Sequence, residues 1–173
     1  MPDLSYTSRE QVEVYHFGWP ASVGLPLAAL LLQVMLPARI HFFEVFDLPL
    51  LITIFFAVSR RNPIAGLATG AVLGLLQDAL GRTLIGVCGI AKTVVGYAAS
   101  SLGVRIDVEN PITRFLMVYG FYMIHGVIYV LIMRILANQS VPYRLGHELG
   151  AALANALLGV VLFALLDRLK RGD

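Results

Sequence analysis

Two charged side chains stand deep in apolar sequence: Asp78 in GLLQDALG and Lys92 in GIAKTVVG. Inserting a charged group into hydrocarbon costs roughly 2.5 to 3.5 kcal/mol. Each of these side chains is therefore expected to form an ion pair or to contact a bound ligand. A tight turn at residues 81–83 between two antiparallel helices would put Asp78 about 5 Å and Lys92 about 12 Å below that turn. A lysine stem can span much of the difference. We predict that the two side chains contact each other; the alternative is that Asp78 reaches water near its helix end.

Two uncharged polar side chains, His125 and Asn155, also fall in the middle of apolar segments. We interpret His125 as a hydrogen-bonded packing residue in preference to a proton relay or a ligand. Asn155 is interpreted as a hydrogen-bonding contact between helices in preference to a substrate contact. His147 and Glu148 stand at the start of the last apolar segment, where we expect them to be solvated at the membrane interface.

Motifs for soluble-type catalysis are missing from the sequence. No serine has a histidine and an acid around it in a recognisable hydrolase motif, and no glycine loop precedes a Lys-Ser or Lys-Thr pair. The single cysteine, Cys88, can form no intrachain disulfide and offers no metal cluster, so we interpret it as a packing residue. We therefore predict no catalytic residue, no metal site and no cofactor.

The elements that must position the polar groups are marked by small residues at helical spacing. Gly66, Gly70 and Gly74 recur every four residues, and Asp78 takes the next step of the same ladder. On a helix these positions share one face. Helices in lipid have no hydrophobic drive to associate, so a glycine face that lets backbones touch is a means of tight packing. We predict a helix–helix contact there, and a second close-contact face at Ala152 and Ala156 of the last helix.

Composition places the whole chain in a membrane. Of its 173 residues 58% are hydrophobic and 14% charged, and the mean hydropathy is +0.77. These values are wrong for a soluble globule. No basic run or aromatic-basic patch indicates binding to nucleic acid.

Six apolar segments along the chain predict an all-α membrane protein with six transmembrane helices. The second segment is short for a hydrocarbon core of about 30 Å, so it is either shielded by its neighbours or extended by residues 42–45. We predict an interfacial arm at residues 1–19, with a capping box at Thr7 and Glu10, a six-helix transmembrane domain at 20–167, and a basic tail at 168–173. The predicted segments are 20–37, 46–59, 63–80, 84–102, 112–137 and 146–166.

Loop charges predict the orientation by the positive-inside rule. With the N-terminus in the cytoplasm, the inner segments hold eight basic residues and the outer segments four. Six spans with both termini in the cytoplasm are therefore expected. The inner set is Arg9, Arg60, Arg61, Arg105, Arg114, Arg168, Lys170 and Arg171, and the outer set is Arg39, Arg82, Arg134 and Arg144.

The block from Asp47 to Leu102 carries a set of family motifs. They are Asp47 at the opening of the second span, the Arg60-Arg61 turn, Gly70 and Gly74 leading to Asp78, and then Gly86, Gly96 and Tyr97. This block resembles the family of rod shape-determining proteins MreD. The family usually has a proline before the acid of the second span, whereas here Asp47 precedes Pro49.

The resemblance implies a non-enzymatic subunit of the bacterial elongation machinery in the cytoplasmic membrane. It implies binding to MreC, proximity to RodA and its transpeptidase partner, and an indirect link from MreB filaments to peptidoglycan synthesis. It also implies a fold similar to the S components of energy-coupling-factor transporters. The glycines and alanines above, with Asp78 and Lys92, would then form helix-packing or partner surfaces.

The competing hypothesis is a genuine S component that binds a vitamin-like solute. Asp78, Lys92, His125 and Asn155 would then be the solute ligands. S components resemble one another in an Ala-x-x-x-Ala pattern on the first span, and residues 20–37 contain no such spacing. The sequence therefore favours the shape-determining subunit.

Overall fold

The computed structural model describes residues 18–81, 84–136, 138–139 and 144–169. Most of the predicted arm with its capping box, and most of the basic tail, lie outside these residues. Within them the chain is all-helical, as predicted, with six main helices and two short 3-10 helices at His41–Val45 and Asp167–Leu169. The main helices are α1 (Trp19–Arg39), α2 (Leu48–Arg60), α3 (Pro63–Gly81), α4 (Val87–Gly103), α5 (Pro111–Ile135) and α6 (Leu145–Leu166).

Among the described residues, four helical segments are long and apolar enough to cross a membrane, which supports a transmembrane protein. They include α3, α5 and α6, together with α2 when the preceding 3-10 helix is counted, from His41 to Arg60. α1 holds a shorter apolar stretch, Trp19–Met35, and α4 is 17 residues long. The helices match the six predicted segments to within a few residues.

The short helix α2 forms the centre of the bundle. All eleven residues from Pro49 to Ser59 are buried, and α2 packs against each of the other five main helices. Its 13 residues span only about 20 Å. Both predicted explanations for its length therefore apply, since neighbours shield it and the 3-10 helix extends it.

The bundle has two ends. The Asp47 end is where α2, α4 and α6 begin, and the Arg60 end is where these three helices finish. Asp47 caps the start of α2 by accepting a hydrogen bond from the Leu50 amide at 3.0 Å. At the Arg60 end, Arg114 of α5 forms an ion pair with Asp167, just after α6, at 2.6 Å.

The glycine ladder packs α3 directly against the backbone of α4. A Cβ at Gly66 would overlap the Gly96 carbonyl oxygen, and a Cβ at Gly70 would overlap that of Lys92. Gly74 lies against the carbonyl one turn earlier in α4. Gly96 in turn has no room for a Cβ, because the Gly66 carbonyl occupies that space. The contact is therefore a backbone-to-backbone seam that any side chain would separate.

Gly86 has a different role from the packing role predicted for it. A Cβ built there meets nothing within 4 Å, so no neighbour requires a small residue. Its φ of +104° instead lies in the left-handed region, where glycine carries no steric penalty. Gly86 is the residue that turns the chain into α4.

The small residues of α6 are enclosed. Ala152 and Ala156 are completely buried, and a Cβ at Gly159, one turn further on, would lie 3.0 Å from the Val118 side chain of α5. α6 packs most extensively on α5. These positions therefore belong to the interior of the bundle.

The seam makes a prediction about Gly70. Gly70→Ala should lower the free energy of unfolding by about 1 to 3 kcal/mol, because the added methyl overlaps a backbone carbonyl that cannot rotate away. Thermal unfolding of the purified protein in detergent and its steady-state level in membranes would measure the effect. Gly120→Ala in α5 is the matched control, since its Cβ meets nothing within 4 Å. Equal stability of the two variants would contradict the seam.

Candidate functional site

The candidate site is centred on the ammonium of Lys92, whose side chain is completely buried. Its Nζ lies 2.5 Å from Oδ2 of Asp47, across 45 residues of sequence. The predicted pairing of Lys92 with Asp78 is therefore wrong. The Asp47 carboxylate neutralises the lysine with one oxygen, while its other oxygen caps α2.

His125 of α5 completes a cluster with this ion pair. Its Nε2 lies 3.2 Å from the Lys92 Nζ and 3.9 Å from Oδ2 of Asp47. An ammonium group can only donate, so Nε2 accepts and a neutral imidazole carries its proton on Nδ1. The cluster joins the start of α2, the second turn of α4 and the second half of α5.

Asn155 of α6 and Gln33 of α1 hold the chain just before α2. Asn155 accepts from the Asp47 amide at 2.9 Å and donates to the Val45 carbonyl at 2.8 Å. Gln33 donates to the Phe46 carbonyl and accepts from the Leu48 amide, both at 2.9 Å. Backbone groups between helices must be satisfied inside the protein when lipid surrounds it. The side-chain amides of Gln33 and Asn155 satisfy these backbone groups by hydrogen bonding.

Asp78 caps a helix that is not its own. Its carboxylate accepts hydrogen bonds from the backbone amides of Gly86, Cys88 and Gly89 at 2.9 to 3.2 Å. These amides open α4, where unpaired N–H groups and the helix dipole favour a negative charge. Asp78 itself is completely buried, so the alternative in which it reaches water does not hold. Asp78, which follows Gly74 on the glycine face of α3, thus contacts the first turn of α4.

Sequence reasoning missed the two partners that complete this site, Gln33 and Asp47. Asp47 had a signal, since an acid directly before Leu-Pro at the start of an apolar segment is typical of a helix N-cap. A capping carboxylate still has a second oxygen for another partner. Gln33 had no comparable signal beyond being a polar residue in an apolar helix.

The cluster has the character of a structural site. Among residues 18–81, 84–136, 138–139 and 144–169 no group of three His, Cys, Asp or Glu side chains is arranged to hold a metal ion. Each predicted polar residue contacts another part of the fold: Lys92 an acid, His125 a lysine, and Asp78 and Asn155 backbone groups. The fold and the site define a helical membrane protein whose internal polar groups join its helices.

A comparison with the models of known protein families identifies the family of this chain. Residues 18–169 match the model of the family described as rod shape-determining protein MreD. The chain belongs to this family, which confirms the resemblance and gives it a role in rod-shape determination. Comparisons with curated proteins and with solved structures found no match.

The Asp47–Lys92 pair can be tested by a double-mutant cycle. Asp47→Asn keeps an oxygen for capping α2 but strands the ammonium, and Lys92→Met strands the carboxylate, so each should destabilise the protein. The double variant should recover part of the loss, with a coupling of about 0.5 to 3 kcal/mol in the unfolding free energy. Thermal and denaturant unfolding in lipid nanodiscs would measure it.

A parallel cycle with Asp78→Asn and Lys92→Met is the control. Asp78 accepts from backbone amides, so its coupling to Lys92 should be smaller than that of Asp47. Strict additivity between Asp47 and Lys92, or equal coupling in both cycles, would contradict the assignment of partners.

Proposed function

We propose that this protein is a non-enzymatic, six-span subunit of the bacterial elongation machinery that binds MreC in the cytoplasmic membrane. Through MreC it would lie near RodA and its transpeptidase partner and help couple MreB filaments to peptidoglycan synthesis. The observation that carries the proposal is the family match over residues 18–169. The similarity to the S-component fold is part of the same proposal.

The use of the polar residues supports a scaffold. Asp78 caps a helix, Lys92 forms an ion pair, and Asn155 holds the segment before α2. A residue engaged in this way is not available as a primary ligand, so these contacts do not favour the hypothesis of a solute bound by these residues. A partner helix would instead meet the apolar outer faces, such as that of α3, where Val72 and Leu76 are exposed.

Recovery of MreC with this chain tests the proposed function. The full chain, tagged at its C-terminus and expressed in its own cells in place of the untagged copy, should co-purify MreC from mild detergent extracts of membranes. Gly70→Ala should reduce recovery in proportion to the loss of folded protein, while Gly120→Ala should recover MreC at the parent level. A well-folded chain that restores rod shape yet recovers no MreC would contradict direct binding.

The proposed orientation makes a separate prediction. The Arg60 end of the bundle carries Arg60, Arg105, Arg114 and Arg168. By the positive-inside rule we expect this end to face the cytoplasm. A reporter fused after Gln139 should therefore be active in the periplasm, and one fused after Asp173 in the cytoplasm. Activity of both fusions in one compartment would overturn the six-span arrangement.

A further inference from the structure

A cavity of about 350 Å³ lies at the Asp47 end of the bundle, beside the polar cluster. Its size falls in the range of cavities that bind small molecules. α5 supplies one wall with Tyr122, His125 and Tyr129, and the ends of α3 and α6 supply Gln77 and Glu148. None of the roles derived above for the polar residues uses this space.

One of the residues that line the cavity, Gln77, has an acceptor without a donor. Oε1 of Gln77 is buried and has no hydrogen-bond partner among the residues that the structure describes. Buried side-chain oxygens are nearly always hydrogen-bonded in folded proteins. This oxygen is closed to water in the structure, so a donor from the cavity would reach it once the Gln77 side chain turns toward the cavity. An N–H or O–H group of a bound molecule would supply it.

The charge of the lining is negative. The described residues that line the cavity include Glu44, Asp47 and Glu148 but no lysine or arginine. Lys92 already compensates Asp47, which leaves the two glutamates. Glu148 is the inner one: its side chain is only 25% exposed, and its Oε2 would lie 3.8 Å from a Cβ at Gly126 on the cavity wall. Among the residues that the structure describes, the basic group within 4 Å of its carboxylate is the His147 imidazole, at 3.8 Å.

His125 adds a donor to the same wall. The side chain is nine-tenths buried, and its Nε2 is engaged by Lys92. The proton on Nδ1 has no acceptor among the described residues. A bound molecule would therefore combine N–H donors and positive charge, for Gln77 and Glu148, with an oxygen that accepts from His125.

We propose that this cavity binds a primary ammonium group carried next to an oxygen acceptor, as in an amino alcohol. The same chemistry occurs in a free solute and in the headgroup of phosphatidylethanolamine, which approach the site from water or from the bilayer. The site extends beyond the proposed scaffold function and requires no other subunit.

Equilibrium binding of radiolabelled ethanolamine to the full chain in phosphatidylcholine nanodiscs tests the site. Ethanolamine should bind and raise Tm with concentration, because a ligand of the folded state stabilises it by mass action. Choline should do neither, since its quaternary nitrogen has no N–H to donate. Glu148→Gln should weaken Kd for ethanolamine by roughly ten-fold or more, as expected for loss of a charge-assisted hydrogen bond. Glu109→Gln, between α4 and α5 at the other end of the bundle, is the matched control and should leave Kd unchanged.

Nanodiscs that contain phosphatidylethanolamine distinguish the two sources. If the headgroup is the occupant, this lipid should raise Tm of the parent but not of Glu148→Gln, and it should compete with free ethanolamine. If a solute is the occupant, ethanolamine binding should be unchanged by the lipid. Gln77→Leu is a second variant, expected to weaken ethanolamine binding without altering charge.

Three results would overturn the proposal. They are no ethanolamine binding, equal effects of ethanolamine and choline, or parent-like affinity in the folded Glu148→Gln or Gln77→Leu variant. None of them depends on MreC, so failure of this site and failure of the proposed scaffold function are separable. Recovery of MreC by Glu148→Gln at the parent level would show that separation directly.

Discussion

Burial of the Lys92 ammonium is the constraint on which the arrangement of the bundle depends. A charge removed from water among packed apolar helices is tolerated only when an opposite charge and hydrogen bonds surround it. Asp47 and His125 meet that requirement from two other helices. The start of α2, the second turn of α4 and the second half of α5 therefore have to converge on one point, which fixes their relative depth in the bundle.

A second requirement comes from the non-helical chain just before α2. Its backbone groups are satisfied by one amide side chain from α1 and one from α6. Together with the ion pair, these bonds tie α1, α4, α5 and α6 to the same turn. The completely buried apolar body of α2 then fills the space between them. The ion pair and the hydrogen bonds thus determine how the helices are aligned at the Asp47 end. Apolar side chains fill the rest of the core.

Much of this fold could be predicted because it follows from local patterns. The six helices appear as apolar segments, and the four-residue spacing of glycines indicates the face of α3 that lies on α4. The partner of Lys92 was mispredicted because proximity in sequence favoured Asp78. Lys92 lies about 9 Å along α4 from Gly86, at 1.5 Å per residue, whereas Asp78 lies at the first turn of that helix. The backbone amides in the first turn of α4 are therefore closer to Asp78 than the Lys92 ammonium is. The bonds made by Asn155 span 108 and 110 residues, and no local pattern announces contacts of that kind.

The 45 residues between Asp47 and Lys92 also have a consequence for the order of events during synthesis. At about 5 to 20 residues per second, roughly 2 to 9 s pass after Asp47 is made before Lys92 exists. Throughout that interval the carboxylate has no ammonium to neutralise it, so α2 is expected to wait with Asp47 near water. α3 and α4 follow as a hairpin whose seam and Asp78 cap are both local. We therefore expect the arrival of that hairpin, carrying Lys92, to be the step that allows α2 to move into the centre of the bundle.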